Sequence, residues 1–301
     1  MVSVIIPTFK RRDMLFYAIE KIYEQTYKDL EIIVINDDLK DDPTDDIVNK
    51  FPQVKYIKYP QKIGPGQKRE IGLELSNGEY IYTPDDDDYL VDSNFFKIAI
   101  DILESDKSLS FVSASSIIRY EDEKNDAKKY VNVPLNVKGV YEGMDYLEHM
   151  QGKYMKPLSS FPTLFRKRVF QCNLFDQRIE MNDALLYMMA SLQGNVYFLD
   201  SYVGVYRVHN RSLTTKKSSF MWINDLLRQK EIIFLSIKNK ITDPEDWWTR
   251  HVALTYDFFA YTSKNRKEKM KFLYWIYVHN HKYISVNKFI IKRFVRVLFN
   301  V

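Results

Sequence analysis

The sequence predicts an α/β protein: a mainly parallel sheet flanked by helices, followed by a helical, basic C-terminal extension. Strand and helix signals alternate from Val2 to Leu90. The strands there are apolar throughout rather than at every second residue, as happens when both faces of a sheet are covered. From Phe220 onward only helical signals remain.

Val2 to Pro7 is a β-branched strand closed by Pro7, and the loop after it carries Thr8 and Phe9. Asp13 can cap the next segment, where Leu15, Ala18, Ile19 and Ile22 fall at helical spacing up to Gln25. Glu31 to Ile35 is a second strand, with Asn36-Asp37-Asp38 at its carboxyl end; Thr44 to Lys50 reads as a short helix, and Val54 to Tyr59 as a third strand. A helix over Pro65 to Leu75 leads to a fourth strand over Tyr80 to Thr83. Beyond it, Phe95 to Glu104 is helical, Leu109 to Ile118 is a strand lightened by serines, and Glu121 to Lys129 is a polar, charged loop. Met144 to Met150 is helical, Ser159 to Phe165 extended, Asp183 to Leu192 helical up to Gly194, and Val196 to Val208 supplies one or two strands. Pro244 separates two of the later helical stretches. A boundary near 215 divides 1–215 from 216–301.

With 46% hydrophobic and 28% charged residues, the 301-residue chain has the composition of a soluble globular protein. Aromatics reach 15%, which suits a carbohydrate-stacking surface and equally a Tyr-rich core. The single cysteine, Cys172, cannot form an internal disulfide. No basic leader opens the chain and no run of about eighteen apolar residues crosses it, so the expected address is cytoplasmic.

Asp85-Asp86-Asp87-Asp88 follows the fourth strand, and Asp37-Asp38 the second. Parallel strands bring both acidic groups to one sheet edge, where open α/β sheets bind ligands. Adjacent carboxylates there suit a hard divalent cation shared with a diphosphate, Mn²⁺ or Mg²⁺. A Gly-x-Gly-x-x-Gly turn is missing after strand one, which disfavours a dehydrogenase.

In order and spacing, Val4-Ile5-Ile6-Pro7-Thr8-Phe9, Gln25-Thr26-Tyr27, Glu31 to Asp37, Gly64 with Lys68-Arg69-Glu70-Ile71-Gly72, and Gly78-Glu79-Tyr80-Ile81 leading into Asp85 to Asp88 resemble glycosyltransferase family 2. Phe165-Arg166, Asn182-Asp183 and Tyr206-Arg207-Val208-His209 match it more loosely. The sequence departs from the family's usual Asn at Lys10 and Glu70, and from its Glu at Asn182. The resemblance implies a GT-A fold with a Rossmann-like sheet, a catalytic domain over 1–215 (a nucleotide-sugar-binding half, 1–100, and an acceptor half, 101–215), and inverting transfer from a nucleotide-diphospho-sugar, a UDP-sugar. It makes Asp85 and Asp87 the acids of a DxD motif, with Asp87 a direct metal ligand, Asp85 facing the ribose or a metal-bound water, and Asp86 and Asp88 behind them or solvated, Asp88 being able to swap roles with them. Asp37 reads the base or ribose, Pro7, Thr8 and Phe9 frame the base, and Arg69 pairs with Asp85 or the diphosphate. Asp183 is the general base, and His209 a metal or diphosphate ligand. A competing reading is a non-catalytic nucleotide-sugar or divalent-cation binding module.

From Lys264 onward ten Lys or Arg face Glu268 alone, a net of +9 in a chain of +4. Lys288, Lys292 and Arg296 recur at i, i+4 and i+8, with Arg293 nearby, against Ile290, Ile291, Phe294, Leu298 and Val301. This is a basic amphipathic helix. Either it attaches the enzyme peripherally to the anionic inner face of the cell membrane, which suits a glycan or lipid-linked glycan acceptor of surface-polysaccharide synthesis, or its apolar face packs on the protein. No nucleic-acid-binding module accompanies the charge.

Overall fold

The computed structural model describes residues 1–38, 43–122, 127–171, 183–209, 219–234, 237–263, 265–280, 282 and 284–299. The chain forms two units, one of residues 1–147 and 155–208, the other of 148–154 and 209–301. The boundary expected near 215, Cys172 and Asn182 lie outside the described residues.

One sheet organises the first unit. β1 (Val2–Thr8), β2 (Leu30–Asn36), β3 (Lys55–Lys58) and β4 (Tyr80–Tyr82) run parallel in the order β3-β2-β1-β4. Every residue of β1 is buried, and alternate side chains serve opposite faces. Val2, Val4 and Ile6 join Leu15, Ile19 and Ile22 of α1 (Arg12–Tyr23) in one core. Ile5 joins Ile33, Ile35 and Ile81 in a second, against which Ile71 of α3 (Gly64–Glu74) packs. A methyl at Gly72 would lie 2.2 Å from Ile5 Cγ2, so the missing side chain lets α3 reach the sheet. Thr8, expected in the following loop, is the last residue of β1, in register with Asn36, and Pro7 lies inside the strand opposite Ile35. Since β4 pairs only with Val2 to Val4, no strand among the described residues pairs with that side of β1 beyond Val4, and a residue without an N–H is tolerated there.

The sheet then becomes mixed. β9 (Thr163–Arg166) is antiparallel to both β4 and β6 (Leu109–Asp122), β10 (Asn195–Val208) is parallel to β6, and β5 (Tyr89–Leu90) and β8 (Gly139–Tyr141) are antiparallel to β10. β7 (Ala127–Val133) pairs with β6, with Glu121 opposite Lys128. Where a polar loop is expected over 121–129, residues 121–122 and 127–129 are therefore paired strand; 123–126 lie outside the described residues. Lys128 and Lys129 are exposed, as charged residues on sheet edges commonly are, and their polarity marks an edge rather than a loop. The helices α4 (Phe95–Ser105), α5 (Gly143–His149) and α6 (Asp183–Ser191) complete the N-terminal set with the one-turn α2 (Ile47–Lys50).

In the second unit, α7 (Ser219–Arg228) continues into a wider turn at Gln229–Phe234, followed by α8 (Pro244–Thr262), α9 (Arg266–Asn280) and α10 (Ile284–Phe299). Pro244 opens α8, where its missing N–H is harmless, and Asp243 caps it by accepting the Asp246 N–H at 2.8 Å. Trp247 and Trp248 are fully buried, and Trp248 donates its indole N–H to Asn280 at 2.8 Å. On α10, Val286, Phe289 and Ile290 are buried, whereas Ile291 is 65% and Phe294 41% exposed beside exposed Lys288 and Lys292. The expected division of this helix is thus corrected: Ile290 belongs to the packed side, and Arg293 forks onto Asp257 of α8 at 2.6 and 3.0 Å. Among the described residues no helix is long and apolar enough to cross a membrane.

Gln25 explains one motif. Buried just past α1, it donates to the Asp92 carbonyl at 2.7 Å and accepts the Phe96 N–H at 3.1 Å, serving one of the unpaired donors at the start of α4. Gln25→Ala leaves that donor and acceptor buried and unmatched. It is expected to lower unfolding free energy by about 1–3 kcal/mol in denaturant titration; an unchanged midpoint would mean water serves both groups equally well.

Candidate active site

Because β1, β2 and β4 are parallel, their carboxyl ends share one edge, and the charged groups that follow them meet there. Thr8 Oγ1 donates to Asp86 Oδ2 at 2.7 Å. Arg11 Nη1 reaches Asp86 Oδ1 and Asp87 Oδ2, both at 2.8 Å. From α3, Arg69 donates its Nε–H to Thr83 Oγ1 at 3.1 Å and pairs through Nη2 with Asp85. Asp88 Oδ1 accepts the Arg207 backbone N–H at 3.1 Å; its buried Oδ2 has no hydrogen-bond partner among the described residues.

One oxygen each from Asp85, Asp87 and Asp88 lie within 4.8 Å of one another. Hard divalent cations take such all-oxygen sets. The unmatched Asp88 oxygen is a group that an ion would satisfy, so the residues present fit a metal.

Asp183 stands at the first position of α6. Its Oδ1 accepts the Ser160 N–H at 3.0 Å, and Ser160 Oγ donates to the Thr83 carbonyl at 2.9 Å, which ties Asp183 to the end of β4. One turn along, Tyr187 donates to the Ser159 carbonyl at 2.9 Å and pairs with Thr163, fixing the same loop. After β2, Asp37 is enclosed: Oδ1 takes Lys68 Nζ at 2.7 Å, and Oδ2 takes the N–H groups of Ile63 and Gly64 at 3.0 Å each. Gly64 has φ +82°, a conformation that favours glycine and starts α3 at this contact.

Residues 3–174 match the family model described as Glycosyl transferase family 2. The chain belongs to this family. It is a glycosyltransferase, and the non-catalytic binding module is set aside. The enzyme is 25% identical over 280 residues to the GalNAc(5)-diNAcBac-PP-undecaprenol beta-1,3-glucosyltransferase of Campylobacter jejuni, covering 90% of this chain and 86% of that one. It is 26% identical over 240 residues to the Escherichia coli UDP-Glc:alpha-D-GlcNAc-diphosphoundecaprenol beta-1,3-glucosyltransferase WfaP (77% and 85% covered). Among solved structures it resembles S. aureus TarS 1–349 in complex with UDP-GlcNAc, with TM-score 0.59, 15% identity and 85% and 81% coverage. It also resembles the mannosyltransferase PcManGT of Pyrobaculum calidifontis in complex with GDP-Man and Mn²⁺, with TM-score 0.53, 14% identity and 99% and 87% coverage. At these identities the likeness is one of fold, the GT-A fold.

Burial sets the electrostatics of the glycosyltransferase site. It pushes the Asp86 carboxyl up to about 6, with Asp87 adding repulsion while Arg11 and Thr8 pull the other way. Burial also carries Asp88 well above the usual carboxylate range, helped by repulsion from Asp87 and Asp85. At Asp37 the balance reverses: burial opposes ionisation, yet Lys68 and the two backbone N–H groups outweigh it and hold the carboxyl below its usual range. Lys68 is lowered, because for the ammonium the loss of hydration outweighs the same pair.

The structure brings together Thr8, Asp37, Arg69 and Asp85 to Asp87, with Asp183 joined through Ser160. It gives Asp88 a place in the cation-compatible trio, although the family pattern puts it in the background. His209 opens the second unit, buried. Arg11 and Lys68 carry the counter-charge, and neither stood out in the sequence as a site residue. For Lys68 the signal was available as a charged residue inside an otherwise packed helix face; for Arg11 none was, since its position depends on the turn before α1.

Lys68→Met would strand the Asp37 charge. With both side chains almost wholly buried, the expected loss is about 3–5 kcal/mol at pH 7. Asp37 is depressed in the folded state, so its stabilising share is present above its unfolded pKa, about 3.9, and disappears as pH falls through the lower folded value. The gap between wild type and variant should therefore narrow below pH ~4 in urea titrations, because a protonated Asp37 needs no cation. A gap that stays constant with pH would assign the loss to packing.

Proposed function

We propose that the enzyme transfers a sugar, with inversion, from a UDP-sugar to a hydroxyl of a lipid-linked glycan, in cell-surface polysaccharide synthesis. The observation that carries this is the placement of Asp183 against the end of β4, the strand that ends in the aspartate cluster. The relatives from C. jejuni and E. coli, both named as glucosyltransferases of undecaprenol-diphosphate-linked glycans, support the acceptor class.

In this reading Pro7, Thr8 and Phe9 border the nucleoside, and Asp37 shapes the 63–64 turn beside it. Asp85, Asp87 and Asp88 would hold Mn²⁺ or Mg²⁺. A bound ion would act there as a Lewis acid on the departing diphosphate. Arg69 supplies a second cation to the diphosphate. Asp183 Oδ1 is occupied by Ser160, which leaves Oδ2 to take the acceptor hydroxyl's proton as that oxygen attacks the anomeric carbon.

Asp183→Asn keeps the Ser160 contact and removes the base. It is expected to lower kcat by roughly 10² or more with the donor's KM retained, measured with UDP-sugars and a synthetic lipid-diphosphate glycan. Unchanged kcat would remove Asp183 as base, and absence of transfer from every UDP-sugar would remove the donor assignment.

The exposed side of α10 supports attachment to an anionic bilayer. Ile291 and Phe294 lie next to Lys288 and Lys292, an arrangement that inserts apolar groups while cations meet lipid headgroups. Replacing Lys288 and Lys292 by Glu is expected to abolish sedimentation with phosphatidylglycerol vesicles while transfer to a soluble acceptor persists. Equal sedimentation of variant and wild type would remove this surface.

A further inference from the structure

We propose that Arg11 is a positioning residue that couples metal binding to diphosphate binding: its guanidinium and a divalent cation contend for Asp87, and the diphosphate resolves the contest by taking Arg11. This rests on the reading that Asp85, Asp87 and Asp88 take a divalent cation.

The geometry of Arg11 is specific. A single nitrogen, Nη1, lies 2.8 Å from carboxylate oxygens of two neighbouring aspartates, and one of them, Asp87, belongs to the cation-compatible trio. The side chain is only 14% exposed, so this is not a loose surface pair.

Helix formation gives no reason for an arginine here. Arg11 occupies the N-cap of α1 and makes no side-chain cap. Acceptor side chains are preferred there, and a cation near a helix N-terminus is unfavourable.

The backbone is bent to deliver it. Lys10, immediately before, has φ 56°. That left-handed conformation is unfavourable for a residue with a Cβ, and such strain persists where surrounding contacts require it.

The consequence follows from charge. Two guanidinium groups, Arg11 and Arg69, face three buried or half-buried carboxylates, Asp85, Asp86 and Asp87. A metal ion approaching alone must displace Arg11 Nη1 from Asp87 Oδ2 and bring its own positive charge close to a desolvated guanidinium. Phosphate oxygens accept a guanidinium in a bidentate fork, so a diphosphate gives Arg11 a new partner and frees Asp87 for the metal. Each ligand then improves the other's binding, and linkage makes the factor the same in both directions.

The test measures Mn²⁺ affinity by electron paramagnetic resonance of the free ion, on the full chain with and without UDP. The comparison is between wild type, Arg11→Met and Arg11→Lys at one pH and ionic strength. Arg11→Met is expected to bind Mn²⁺ alone about tenfold more tightly, and the gain produced by UDP to shrink by a similar factor, within the ~5–150-fold range of such couplings. Arg11→Lys keeps a competing charge but loses the fork. It is expected to bind Mn²⁺ alone like wild type and show a reduced gain with UDP, and it tests the idea even where Arg11→Met does not fold. A wild-type gain in both variants would overturn the role of Arg11 and leave the metal reading standing. A wild type that binds no Mn²⁺ even with UDP would remove both.

Discussion

Four carboxylates in succession at the end of a buried strand must be compensated, and this constraint decides what surrounds them. Two unit charges 4 Å apart interact by about 4 kcal/mol at the effective dielectric near a protein surface, so the run from Asp85 to Asp88 would oppose folding if left bare. Each residue instead has its own answer: Arg69 for Asp85, Thr8 and Arg11 for Asp86, Arg11 for Asp87 and the Arg207 N–H for Asp88. These partners come from the end of β1, from the turn that leads into α1, from α3 and from β10. They meet only because β4 lies beside β1 and because Gly72 lets α3 lie against the sheet. The packing of the first unit is thus the means by which an acidic edge is made tolerable, and Asp88 keeps one oxygen unmatched there.

The parallel half of this arrangement is legible in the sequence because its strands are covered on both faces. β1 and β2 read as unbroken apolar runs with helices between them, a pattern with few other solutions. The second half is harder for a physical reason. β6 and β10 are long, carry serine or tyrosine at several positions, and are paired with antiparallel neighbours entering from distant parts of the chain. β7 carries its charge on an exposed edge, and nothing local distinguishes such a strand from a loop. On α10, helical periodicity places Ile290, Ile291 and Phe294 on one side, yet only tertiary packing decides that Ile290 faces inward and its neighbour outward.

The site divides along the same line. The acidic edge is visible from strand order, and the family pattern draws attention to Asp85, Asp87 and Asp183. Which cation meets which carboxylate is not visible, because it depends on turns. Arg11 is brought to Asp86 and Asp87 by the left-handed Lys10, and Lys68 is paired with Asp37 by the start of α3 at Gly64. Asp37 illustrates the difference between presence and availability. A free carboxylate at that position would offer both oxygens to a nucleoside, whereas here they already accept three hydrogen bonds, so its effect on a ligand passes largely through the 63–64 turn.

Charge is segregated between the units in a way that bears on how each meets its partner. The second unit has 19 Lys or Arg against 8 Asp or Glu, a net of +11; with +4 for the whole chain, the first unit sums to −7. An acidic body gives a dianionic nucleotide no long-range attraction, and beyond a Debye length of about 8 Å at physiological salt the surface field is largely screened in any case. Donor capture must therefore rest on cations at short range, and Arg11 and Arg69 stand at the aspartate edge with the buried Lys68 beside them. A bilayer presents the opposite problem. It is an extended anionic plane, against which each nearby Lys or Arg adds on the order of 1 kcal/mol without a designed geometry. Under the proposed membrane attachment, dispersed charge on the helical unit would suit such a plane, whereas paired charge within the sheet unit suits a small, highly charged ligand.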